Sequence, residues 1–139
     1  QFAEFIFPYQ ADVAQRFGKI YYGCCEPVHS RIDVLSQLPN LARVSVSPWA
    51  DEERMAAALG ERIVYSRKPN PTSVSTEVFD EAAILEDLRH TLAVARNCRV
   101  ELIMKDVHTL CEHPERLPRW VQLARRAVNE ATNEGKACA

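Results

Sequence analysis

Thiol, cationic, acidic and imidazole side chains gather at a few short places in this chain, each just past a run of apolar and β-branched residues. These places are Cys24-Cys25-Glu26, Ser47, Arg67-Lys68 and Lys105-Asp106-Val107-His108. Cys24, Cys25 and Glu26, with Asp106 and His108, offer the soft and borderline donors that Zn²⁺ takes in tetrahedral sites. A metal also makes a bound thiol a nucleophile, which methyl transfer to sulfur requires. The plainer reading of Cys24 and Cys25 is packing, because free cysteine is among the most buried residue types. Arg67 and Lys68 precede Pro69 and Pro71, which stiffen the turn. A guanidinium fork there suits a substrate carboxylate or phosphate, and the competing reading is a solvated loop pair. Lys105-Asp106 is either an acid–base pair or a salt bridge that ends a strand. His29 and His108 lie near strand ends and are placed to carry protons, whereas His90 and His113 read as surface residues. Tyr21, Tyr22, Tyr65 and Trp49 read more readily as packing than as cofactor contacts.

The elements that must position these groups alternate in type. Residues 2–17 have helical spacing broken by Pro8, with Gly18 as the expected cap. Residues 20–25 form a short apolar run between Gly18 and Pro27, a buried strand. A short amphipathic helix over 30–38 follows, then a strand over 43–47 ended by Pro48. Asp51-Glu52-Glu53 opens a helix that Gly60 closes, acidic residues suiting the positive helix terminus. A third strand covers 62–66, and a polar loop leads to Asp80, the cap of a helix with Leu85, Leu88, Leu92 and Ala95 on its buried stripe. A fourth strand covers 100–104. The last helix starts near Leu117, with Trp120, Val121, Ala124 and Val128 on one face, and the tail after Ala131 is expected to fray.

Alternating β and α elements imply parallel strands joined by right-handed crossovers. Four such units in one domain, residues 1–139, make either half of an eight-stranded barrel or a small flavodoxin-like open sheet. The polar residues at the C-terminal strand ends favour the half-barrel, where those ends converge on one mouth. No glycine-rich phosphate loop follows the first strand.

Composition excludes several classes of partner. A net charge of −2 gives no basic field for nucleic acid and no polybasic patch for lipid. No apolar run approaches the roughly 18 residues of a membrane span. Five cysteines, an odd count without a CxxC pair, point to reduced thiols in the cytoplasm. The first residues read as a helix bearing Glu4, Asp12 and Arg16 rather than as a signal peptide. Gln1 opens directly into that helix, so a preceding N-terminal half is expected.

Phe7-Pro8-Tyr9-Gln10, Tyr22-Gly23-Cys24-Cys25-Glu26-Pro27, Ser66-Arg67-Lys68-Pro69-Asn70-Pro71 and Ile103-Met104-Lys105-Asp106 together resemble the second half of the uroporphyrinogen decarboxylase superfamily. The resemblance implies the C-terminal half of a TIM (β/α)8 barrel and either of two activities, methyl transfer involving a corrinoid or thiol, or decarboxylation of a small carboxylated substrate. It departs from the zinc-dependent methyltransferases of that superfamily in their metal triad. Tyr22 stands at the family's histidine position, Cys24 matches its first cysteine, and Lys105 or Asp106 lies where its second cysteine would be. The expected site is therefore Lys105, Asp106 and His108 as catalytic groups, Arg67, Lys68, Tyr22 and Glu26 as substrate contacts, and Cys24 and Cys25 as metal ligands. Zinc and a corrinoid carried by a partner protein are the cofactors that follow, and the half alone is expected to be inactive. A non-catalytic ligand-binding α/β domain is the alternative. Open sheet edges further predict a homodimer that covers them.

Overall fold

The computed structural model describes residues 1–23 and 25–137, with nothing said of the side chains of 134–137. A turn of π-helix, Phe2–Ile6, runs into helix α1, Phe7–Ala14. Strand β1 (Ile20–Tyr22) follows, then a 3₁₀ turn (His29–Arg31) and helix α2 (Ile32–Leu35). Next come β2 (Leu41–Val46), α3 (Glu52–Leu59), β3 (Val64–Arg67), α4 (Thr72–Ser75), α5 (Glu81–Val94), β4 (Val100–Leu102) and α6 (Arg116–Ala137).

The sheet is parallel throughout and its order is β1-β2-β3-β4. A strictly sequential order has no reversal point, the feature at which a flavodoxin-like sheet binds its ligand. With right-handed crossovers it also sends every connecting helix to the same side. Burial agrees. Tyr22, Val44, Tyr65 and Val100 are aligned across the four strands and pack into the core beneath the helices. Arg67, aligned with Val46 and Leu102, lies on the same side. The opposite face carries Tyr21, Arg43, Ser45, Val64, Ser66 and Glu101.

That second face is concave. Side chains on it bridge strands that are not neighbours: Tyr21 on β1 reaches Ser66 on β3 at 2.9 Å, and Arg43 on β2 reaches Glu101 on β4 at 3.3 Å. Strands two places apart in a flat sheet are about 10 Å apart, and curling brings their inward side chains together.

Local sequence fixes most element ends. Asp51 accepts from the Arg54 amide at 2.9 Å, and Gly60 ends α3 at φ 50°, a backbone region that favours glycine. Asp80 accepts from the amides of Ala82 and Ala83 at 3.0 Å each. The close of α1 differs from expectation. The helix ends at Ala14, and the Asn40 side chain donates to the carbonyls of Ala14 and Phe17, both at 2.7 Å. A residue from another element thus satisfies orphan carbonyls that Gly18 was expected to handle. The loop expected after β3 contains α4, whose Val74 carbonyl, with those of Thr76 and Glu77 just beyond the helix, accepts from the buried Arg116 guanidinium.

Two apolar clusters hold the layers together. One gathers Val28, Ile32, Leu35, Val44, Val46, Met55, Leu59, Ile63 and Tyr65. The other packs α5 on α6 through Ile84, Leu85, Leu88, Trp120, Leu123, Ala124 and Ala127. Val121 and Val128, expected on one face of α6 with Trp120 and Ala124, stay exposed while those two are buried. They line an apolar cleft of about 840 Å³ with Leu92, Val100 and Leu102, beside the unpaired edge of β4. A second apolar cleft lies beside the other edge, lined by Tyr9, Val13, Phe17, Ile20 and Tyr22.

Candidate functional site

The loops that leave β1 and β4 meet although these are the two outermost strands. The Lys105 ammonium lies 3.0 Å from Cys25 Sγ and 2.7 Å from the Asp106 carboxylate, and Cys25 Sγ lies 3.6 Å from Asp106 Oδ2. Cys25 and Lys105 are 80 residues apart in sequence. In a flat four-stranded sheet their strands would be about 14 Å apart, and the loops that follow Tyr22 and Leu102 bring the two side chains together. Asp106 adopts φ 57°, a left-handed conformation that aspartate tolerates better than most residues.

Electrostatics keep the pair ionised. The hydrogen bond to Asp106, then that to Cys25, hold the Lys105 ammonium above the usual lysine range against a small opposing effect of burial. The hydrogen bond from Lys105 holds the Asp106 carboxyl below its usual range, with help from the Lys105 charge, Cys25 and the more distant His108. His108 itself is exposed on the loop beyond.

A second polar group occupies the concave face below that cluster. The Lys68 ammonium donates to Ser66 Oγ at 3.0 Å, Tyr21 Oη lies 2.9 Å from the same oxygen, and Lys68 Nζ sits 5.3 Å from the Tyr21 ring centre. Ser66 is fully buried and Lys68 is 5% exposed, whereas Tyr21 is 45% exposed. Burial alone would raise the Tyr21 phenol, but hydrogen bonds with Lys68 and Ser66, the Lys68 charge and Ser45 bring it below its ordinary value.

Arg67 and Lys68, adjacent in sequence, take opposite sides of the sheet. The Arg67 guanidinium is 3% exposed on the helix side, 2.9 Å from Glu52 and 3.4 Å from Asp87, and it also donates to Thr91 and to the Ser47 carbonyl. Glu52 further accepts from Tyr65 at 3.0 Å and from Thr91 at 2.8 Å. This closed network clamps α3 and α5 to β3. Desolvation, then the Glu52 charge and hydrogen bond, push the Tyr65 phenol far up. Tyr22 also turns to the helix side, its hydroxyl 3.4 Å from Gln10 of α1. Glu26 holds Arg31 at 2.5 Å. His29 Nδ1 accepts the Asp51 amide at 3.1 Å, which ties the loop after β1 to the start of α3. Trp49 is exposed.

Of the expected site residues, the structure therefore brings Cys25, Lys105 and Asp106 together and sets Lys68 on the concave face. It turns Arg67 and Tyr22 to the opposite side and pairs Glu26 with a neighbour. Cys24, expected as a metal ligand, lies outside the described residues. Tyr21 was expected to pack rather than to bind, and the sequence assigned Ser66 no role of its own. The alternation of residues 20–22 placed Tyr21 and Tyr22 on opposite faces, but not which face the helices would leave open.

The chemistry of the donor set bears on zinc. The 3.6 Å between Cys25 Sγ and Asp106 Oδ2 is close to the separation of about 3.5 Å that two ligands of one tetrahedral zinc would have. The Lys105 ammonium already bridges the two, however, and among the described residues no third Cys, His, Asp or Glu joins them as a metal-holding group. The described side chains alone do not form a zinc site. No helix among the described residues is long and apolar enough to cross a membrane. No protein-family model matches the chain, and neither does any curated protein or any solved structure.

Proposed function

We propose that this chain forms half of the active-site mouth of a (β/α)8-barrel enzyme of the uroporphyrinogen decarboxylase type, acting on a small carboxylated molecule. The convergence of Cys25, Lys105 and Asp106 from opposite edges of one parallel sheet carries this reading. In a barrel, chemistry is done where loops from several strand ends meet. A decarboxylation breaks the bond to the carboxyl carbon, releases CO₂ and leaves an electron pair on the substrate. The Lys105 ammonium supplies positive charge where that pair develops, and the Cys25 thiol or Lys105 returns a proton to carbon. Asp106 stays ionised and orients Lys105.

A second reading is methyl transfer to or from a thiol, with zinc at Cys25 and Asp106 and a corrinoid brought by a partner protein. The spacing of Cys25 Sγ and Asp106 Oδ2 favours it. It requires Lys105 to move aside and a further ligand, for which Cys24 is the candidate.

Titrating isotopically labelled protein with small keto acids, dicarboxylates and thiols, followed by amide shifts, tests both readings. The first expects saturable shifts at residues 25, 105 and 106 with carboxylated molecules, lost in Lys105→Ala. Response to thiols only, and only with added zinc, favours the second. Silence at all three positions with every compound sinks both.

A further inference from the structure

The cations of the concave face and of the C-terminal strand ends differ in one respect. Arg43 is paired with Glu101 at 3.3 Å, Arg67 with Glu52 at 2.9 Å and Lys105 with Asp106 at 2.7 Å. Lys68, just past the end of β3, is 5% exposed, and no carboxylate among the described residues pairs with it. Its polar partners are the hydroxyls of Ser66 and Tyr21, and the Tyr21 ring lies beside it. A buried ammonium without an anion is costly, and a negative ligand would offset that cost.

The neighbouring groups suit such a ligand. Ser66 Oγ accepts from Lys68 and shares a hydrogen bond with Tyr21 Oη in which either hydroxyl can be the donor. Tyr21 is the exposed member of the three, so the group meets solvent at this residue. Ser47 Oγ, buried just past the end of β2, has no partner among the described residues and adds a hydroxyl of matching parity to Ser45.

The geometry points to a carboxylate-binding subsite on the concave face, in which Lys68 neutralises the anion and the Tyr21 hydroxyl donates a hydrogen bond to it. This deepens the function proposed above and rests on it for the reaction. It divides the labour: Lys68 and Tyr21 anchor the carboxylate, and the Cys25–Lys105–Asp106 cluster faces the reacting end. Lys105 is unsuited to the anchoring role because its charge is already matched by Asp106.

Malonate is the probe, added to the intact chain, with amide shifts of residues 21, 66 and 68 as the readout. Saturable binding is expected, weakened about tenfold or more by Lys68→Met and about fivefold by Tyr21→Phe, from a charge-assisted and an ordinary hydrogen bond. Tyr21→Phe alters an exposed side chain, so it reads the site even if Lys68→Met disturbs the fold. Malonate binding kept in Lys68→Met but lost in Lys105→Met overturns the subsite and leaves the strand-end reading in place. Tighter binding of inorganic phosphate than of malonate overturns the ligand class. Absence of saturable malonate binding overturns the subsite outright, while shifts at residues 105 and 106 with keto acids then decide the strand-end reading separately.

Discussion

Replacing Lys68 by methionine should make the protein more stable. The side chain is 5% exposed, and its charge has the Ser66 and Tyr21 hydroxyls and the flank of the Tyr21 ring for company. Burying an ammonium costs several kcal/mol after relaxation. The bond to Ser66 returns about 1.5–3 kcal/mol and the ring contact about 1–2 kcal/mol. The balance leaves Lys68 a net cost of about 1–2 kcal/mol. Methionine has a similar length, fills the same space and strands no partner, because Ser66 and Tyr21 still bond to each other. The midpoint of thermal unfolding should therefore rise by about 3–6 °C, with a matching rise in urea midpoint at unchanged slope. The carboxylate ligand should reverse the order. Malonate at 100 times its dissociation constant stabilises the wild type by about 2.7 kcal/mol and the Lys68→Met protein hardly at all. A variant that is less stable than wild type without ligand, or that gains as much from malonate, would refute the reasoning.

Further outcomes follow from the other networks. Glu52→Ala leaves the Arg67 guanidinium buried with Asp87 as its one remaining carboxylate among the described residues, and should cost about 3–5 kcal/mol in urea unfolding. In a spectrophotometric titration Tyr21 should ionise below the ordinary tyrosine value of 10.0. Because its folded value is lowered, its ionisation adds stability that is present above the unfolded value and is lost as pH falls through the folded one. Lys68→Met should delay that step and Tyr21→Phe should remove it, whereas Tyr65, pushed upward, ionises only on unfolding. Metal analysis of the reduced protein should find zinc well below one per chain; near-stoichiometric zinc that Cys25→Ala abolishes would favour methyl transfer. Apolar clefts beside both unpaired sheet edges predict self-association of the isolated chain, read as mass by light scattering, with Val121→Asp shifting it toward monomer. A monodisperse monomer before any mutation would contradict that.

The sequence by itself determined the alternation of strands and helices, because the 2.0 and 3.6 periodicities and the caps at Asp51, Gly60 and Asp80 are local properties. It also pointed to Cys25, Lys105 and Asp106, since parallel strands carry whatever follows them to one end of the sheet. Strand lengths shifted by a residue or two, as with the third strand, expected over 62–66 and found at Val64–Arg67. Only the tertiary structure decided which face of the sheet the helices would cover. Period-2 alternation separates Arg67 from Lys68 and Tyr21 from Tyr22 but is symmetric between the two faces. The sequential strand order breaks that symmetry by sending the crossovers to one side. It consigned Arg67 to a buried clamp with Glu52 and left Lys68 facing Tyr21 across the hollow of the sheet. The contact between Tyr21 and Ser66 needs a curl that no short stretch of sequence encodes, because it sums the twist and register of all four strands.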